Sequence, residues 1–209
     1  MYFRIYYIYK KPTNITQFLY GRGYFIFEGY CELEQSQVKD LILLSNTPGI
    51  NVMEIGFNAG HSAEVFLKNN LTLTLTSFDL GSHNYVLAAK EYIDLTYPDR
   101  HTLIIGDSTI TIPKYIKNNK NKKFDIIFID GGHDYKIANT DLSNCMKLAH
   151  KDTIVIIDDT IYTKGWNKSY TTGPTVTWLQ HQLNNKIIEI NKKDYRPGHG
   201  MSWGKYNIC

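Results

Sequence analysis

From residue 50 onward, short apolar runs alternate with stretches of helical period, and each run ends beside an acid. INVMEI (50–55), LTLTSFD (73–79), HTLIIGD (101–107), FDIIFID (124–130) and TIVIID (153–158) read as strands, with helices between them at 61–69, 84–95, 110–118 and 136–149. Such alternation requires right-handed crossovers and therefore a mostly parallel sheet flanked by helices, an α/β fold of Rossmann-like type. A helix near 174–184 precedes IIEI (187–190) and GMSWGKY (200–206), which would close the sheet as an antiparallel end. Ahead of the first strand, residues 34–46 read as an amphipathic helix.

With 209 residues, 43% of them hydrophobic, the chain can fill one sizeable core. The natural division is a domain at 34–209 with an aromatic-rich extension at 1–33. In that extension Tyr2, Phe3, Tyr6, Tyr7 and Tyr9 precede a turn-rich stretch that Tyr24, Phe25 and Phe27 follow, which reads as two strands or a hairpin. Its aromatic surface would pack on the main domain, cover a substrate pocket, or make a homodimer contact. The net charge of +3 is spread along the chain, with no polybasic tail or basic aromatic stripe, so nucleic acid is not an expected partner. The opening MYFRIYYIYKK is apolar too briefly to cross a bilayer, and no small-residue cleavage site follows it. Cys31, Cys145 and Cys209 form no CxxC pair and read as reduced thiols, which points to a cytoplasmic protein.

The sharpest local signal is VMEIGFNAGHSAEVFL. A buried strand there ends at Glu54 and opens into a turn with Gly56 and Gly60 before a helix starts. A dinucleotide fingerprint would be GxGxxG over a pyrophosphate, whereas this loop is GxxxG with an acid two residues ahead of it. An acid there suits a ligand ammonium group, while Asn58, Gly60 and Ser62 would supply donors to a carboxylate, so the amino-acid end of methionine fits. Asp79, closing the second strand, is placed to accept from two ribose hydroxyls. Asp107 and Ser108, after the third, are placed for an adenine amino group.

The fourth and fifth strands end in FIDGGHDY and IIDDT, bringing Asp130, Asp158 and Asp159 to the carboxyl edge of the sheet. Close anions repel unless they share a proton or a cation, and an oxygen-rich set suits magnesium, manganese or calcium. His133, three residues after Asp130, titrates near neutrality and can act as a general base. Alternatives stand beside these roles: His133 or Asp159 could cap a helix, His61 could start one, and His199 could serve a turn.

Residues 34–206 resemble the class I S-adenosylmethionine methyltransferases, especially metal-dependent O-methyltransferases of the macrocin and catechol types and related small methyltransferases. The resemblance implies S-adenosylmethionine as cofactor, with Glu54, Gly56 and Gly60 at its methionine end, Asp79 at the ribose, Asp107 and Ser108 at the adenine, and Asp130 shared with the reaction centre. It further implies a divalent metal, magnesium by expectation, on Asp130, Asp158 and Asp159, and His133 where the catechol type has a lysine base. Gln35 and Ser36 would border the cofactor. The expected reaction is methyl transfer to a hydroxyl of a small molecule. A nicotinamide-dependent oxidoreductase and an inert methyltransferase-like binding module are the competing readings.

Overall fold

The computed structural model describes residues 12–28 and 34–208. Seven strands form one sheet in the order β3-β2-β1-β4-β5-β7-β6. They are β1 (Asn51–Ile55), β2 (Thr74–Asp79), β3 (His101–Ile105), β4 (Phe124–Ile129), β5 (Ala149–Asp158), β6 (Ile187–Arg196) and β7 (His199–Tyr206). The first five pair in parallel, and β7 runs antiparallel to both β5 and β6. From β1 the chain winds outward through β2 to β3, then returns to place β4 on the other side of β1. The carboxyl ends of β1 and β4 therefore face a crevice at the point where winding reverses, the place where open α/β sheets bind ligands.

Helices cover both faces, so most strand side chains on either face must be apolar. Val52, Ile126, Phe128 and Ile156 pack beneath α1 (Ile15–Gly21), α2 (Gln35–Leu44), α3 (His61–Asn69) and α4 (Val86–Thr96). Met53, Ile127, Ile129, Val155 and Ile157 pack beneath α5 (Ser108–Asn118), α6 (Tyr135–Cys145) and α7 (Ser169–Leu183). Each of the five parallel strands and four crossover helices lies where the hydrophobic pattern puts it, give or take a few residues at the ends. Among the described residues no helix is long and apolar enough to cross a membrane.

Three local expectations change. In the extension, the first predicted strand lies outside the described residues, and Tyr24–Phe27 belongs to no strand. The stretch between is α1, whose N-cap Asn14 accepts from the Gln17 amide and whose Ile15 and Leu19 are fully buried. The i, i+4 pair was masked by the Pro, Asn and Gly residues around it. Phe18 packs against Tyr92 and Phe27 against Tyr85, so the described part of the extension leans on the main core.

The other two changes concern the end of the chain. The last helix begins five residues early, at Ser169, despite Gly173 and Pro174. Any Cβ on Gly173 would overlap the His133 carbonyl oxygen, so the glycine lets α7 press against the loop after β4. Strand β6 runs past IIEI through NKKDYR because it is an edge strand whose outer residues need not be apolar.

Candidate active site

Gly56 turns the chain out of β1 at φ 96°, and a Cβ there would overlap the Asp130 carbonyl oxygen. The ends of β4, β1 and β2 are bolted together, the Asp130 amide donating to the Ile55 carbonyl at 2.9 Å and the Gly56 amide to the Phe78 carbonyl at 2.8 Å. Beyond them opens a cavity of about 630 Å³, walled by the ends of β1 to β5 together with Glu28, Glu34, Gln37, Tyr170 and His199.

Along β1 to β3 the cavity rim is held by backbone amides. Asp79 accepts from the Asn58 amide on one oxygen and the Gly81 amide on the other, both at 2.7 Å. Asn58 sits at φ 49°, a conformation asparagine tolerates, and its side-chain amide donates to the Glu28 carbonyl at 2.8 Å, fastening the N-terminal segment across the rim. Asp107 caps α5, accepting from the Thr109 amide at 2.8 Å and the Thr109 hydroxyl at 2.7 Å, bonds that hold its carboxyl below the ordinary value. Gly56, Asn58, Asp79, Asp107 and Ser108 all line the cavity, as the sequence suggests.

Glu54, Gly60 and Ser62 do not line it. Side chains alternate along a strand, so Glu54 shares the face of Val52 and enters the layer beneath α3. There it accepts hydrogen bonds from the Ser62 and Ser77 hydroxyls, the latter at 2.6 Å, and is fully buried. Burial pushes its carboxyl up to about 7 against the pull of those two bonds. In place of meeting a ligand ammonium, Glu54 ties α3 to β1 and β2. Gly60, at φ 77°, is the N-cap of α3 with Ile15 and Phe57 against it. His61 opens that helix, bonded to the Thr16 hydroxyl at 2.9 Å.

Along β4 and β5 the acids crowd one another. Burial, then Asp158 and Asp159, push the Asp130 carboxyl well up. Burial followed by Asp159 pushes Asp158 up to about 8. Gln37 donates its side-chain amide to both oxygens of Asp158 at 2.8 Å, and the Asp159 amide donates to one of them at 2.9 Å. Asp159 sits at φ 57°, a left-handed conformation that aspartate, like asparagine, adopts more readily than most residues. That turn sends its carboxylate to His133, with Oδ2 2.8 Å from Nε2, and this bond raises the imidazole's basicity.

One ligand atom from each of Asp130, His133 and Asp159 lies within 4.8 Å of the others. Of the predicted set Asp130, Asp158 and Asp159, two belong to this group with His133 beside them, while Asp158 accepts from Gln37. Gln37, one helical step beyond the predicted Gln35 and Ser36, is the α2 residue that borders the cavity, with the helix cap Glu34. His199 does line it. Glu28, His83 and Tyr170 line it with no local sequence signal to announce them.

The strand order with its reversed seventh strand, and the cavity at the β1/β4 reversal, define the methyltransferase class of α/β folds. An O-methyltransferase from Bacillus cereus, solved in complex with SAH, superposes with a TM-score of 0.73 over 96% of this chain and 94% of that one, at 19% identity. The N-methyltransferase NodS from Bradyrhizobium japonicum gives 0.60 over 85% and 98%, at 14% identity, so the shared fold serves more than one acceptor atom. In sequence, residues 53–160 match the methyltransferase domain family, and the chain belongs to that family. A catechol O-methyltransferase from Sus scrofa is 25% identical over 129 residues, 61% of this chain and 69% of that protein.

Proposed function

We propose that this methyltransferase transfers the methyl group of S-adenosylmethionine to a hydroxyl oxygen of a small molecule, assisted by a divalent cation. The observation that carries the reading is the charge of the cavity. Seven carboxyl groups line it, two of which, Asp130 and Asp158, are pushed up toward the neutral form, with no lysine or arginine in the wall among the described residues. A sulfonium nucleoside bearing an ammonium group suits such walls, whereas the pyrophosphate of a nicotinamide dinucleotide would meet anions with no cation to pair it. The SAH held by the Bacillus cereus neighbour and the oxygen acceptor named for the pig relative support the same reading.

Asp130 and Asp159, with His133 beside them, fit a cation: they are oxygen-rich and close together, and Asp130 is pushed up by burial and then by Asp158 and Asp159, a repulsion that a positive charge would relieve. Bound there, a divalent ion would lower the pKa of the acceptor hydroxyl. The chain's own work is to take the proton and hold the geometry. His133 uses Nε2 toward Asp159, leaving Nδ1 to receive the hydroxyl proton while the carboxylate stabilises the imidazolium. The acceptor oxygen forms a bond to the methyl carbon as the carbon–sulfur bond breaks, and the electron pair stays on sulfur as a thioether. Gln37 and the Asp159 amide fix Asp158, and so the turn that aims Asp159.

A second reading, metal-free transfer with the His133–Asp159 pair as the base, is favoured by the direct contact between those two side chains. Calorimetry on the full chain should show S-adenosylhomocysteine binding and no NAD binding; the reverse pattern hands the cavity to an oxidoreductase. A chelator should abolish turnover and manganese or magnesium restore it, while full activity in chelator selects the metal-free reading.

A further inference from the structure

Over β4 and β5 the cavity is lined by Asp130, Asp158 and Asp159, and Glu28 and Glu34 also belong to its wall. Among the described residues, basic groups beside these carboxylates are engaged by them. His83 Nε2 lies 2.8 Å from the Glu28 carboxylate, His133 is held by Asp159, and Arg196, which is not part of the cavity wall, reaches Glu34 at 3.4 Å. An acceptor carrying a phosphate or carboxylate would thus be desolvated beside carboxylates with no lysine or arginine of the wall, among the described residues, to meet it, an arrangement that costs several-fold to many-fold in binding. Neutral hydroxyls, by contrast, have carboxylate acceptors available, and an ammonium group has carboxylate partners.

One wall adds to this. Tyr170 is pinned by donating its hydroxyl to the Gly198 carbonyl at 3.1 Å, with its ring centroid 5.5 Å from that of His133. A fixed aromatic ring beside carboxylates suits a flat neutral body or a cation.

We propose that the methyl acceptor is uncharged or carries an ammonium group outside its reacting hydroxyl, and that Glu28 and Glu34 in the cavity wall exclude phosphate- and carboxylate-bearing acceptors. The inference rests on the methyl-transfer reading, and its test is separable from that reading's. Three vicinal diols differing in one substituent serve as probes: 3,4-dihydroxyphenethylamine, 4-methylcatechol and 3,4-dihydroxyphenylacetate. Each is titrated into the full chain holding S-adenosylhomocysteine and magnesium.

The amine and the methyl compound should bind, and the carboxylate at least tenfold more weakly than the amine. The gap should shrink as salt is raised and narrow about threefold in Glu28→Gln. Equal or tighter binding of the carboxylate overturns the proposal, as does failure of all three diols to bind a chain that has bound the cofactor product. Failure of S-adenosylhomocysteine itself to bind, before any diol is added, strikes the methyl-transfer reading.

Discussion

The two halves of the cavity treat their carboxylates in opposite ways. Along β1 to β3, Asp79 and Asp107 are met by backbone amides and a hydroxyl, and each is settled without any ligand. Along β4 and β5, Asp130, Asp158 and Asp159 lie against one another, and the available donors, Gln37, the Asp159 amide and His133, do not offset burial and repulsion at Asp130 and Asp158. The first half has its carboxylates satisfied by the chain itself. The second holds anions in excess of their partners, as a centre that takes up protons or a cation would.

Removing the carboxylate at the turn of β5 should produce the largest effect. Asp159→Ala deletes both the partner of His133 and an oxygen of the candidate cation site, so methyl transfer should fall about a thousandfold or more. S-adenosylhomocysteine affinity should change less than threefold, because the rim along β1 to β3 is untouched. A comparable loss of cofactor binding would show that the halves are not separate.

Next in size is a pH effect at Glu54, the acid that sequence placed in the cavity and structure places under α3. Its carboxyl titrates near 7 when folded, against an ordinary value of 4.5. Between those values the folded chain holds a proton that the unfolded chain has lost, so its contribution to stability is full below about 4.5 and is lost as pH rises through 7. The loss amounts to roughly 3 kcal/mol. Glu54→Gln should therefore unfold with a flatter stability profile between pH 5 and 8, read by denaturant melts at each pH. An unchanged profile would mean that the carboxylate stays ionised in the fold.

The smallest expected effect belongs to the settled half. Asp79→Asn keeps the shape but weakens both amide bonds and any ribose contact, and should cost about tenfold in S-adenosylhomocysteine affinity by calorimetry, or about 1.4 kcal/mol. Turnover at saturating cofactor should stay within a fewfold of the parent. A large fall in the saturated rate would place Asp79 in the chemistry and erase the contrast.

Much of this site is written locally. Asp79, Asp107, Asp130, Asp158 and Asp159 stand at strand ends, and any sequence of parallel strands carries such residues to one edge. His133 could be picked out because it follows a strand-ending acid at short range. The residues that escaped notice came from elsewhere in the chain: Gln37 meets Asp158 across 121 positions, and Glu28 is held by Asn58 across 30. Their own neighbourhoods, an amphipathic helix and an aromatic segment, contain no sign of the partner.

What the sequence determined by itself was the order of strands and helices, and with it the edge where the acids gather, because hydrophobic period and strand ends are properties of neighbouring residues. Only the tertiary structure decided which way each acid faces and what it meets. One residue of parity sent Glu54 beneath α3 and not into the cavity, and one left-handed turn at Asp159 gave His133 its partner. Such choices depend on what packs against the backbone from distant parts of the chain, which no local pattern records.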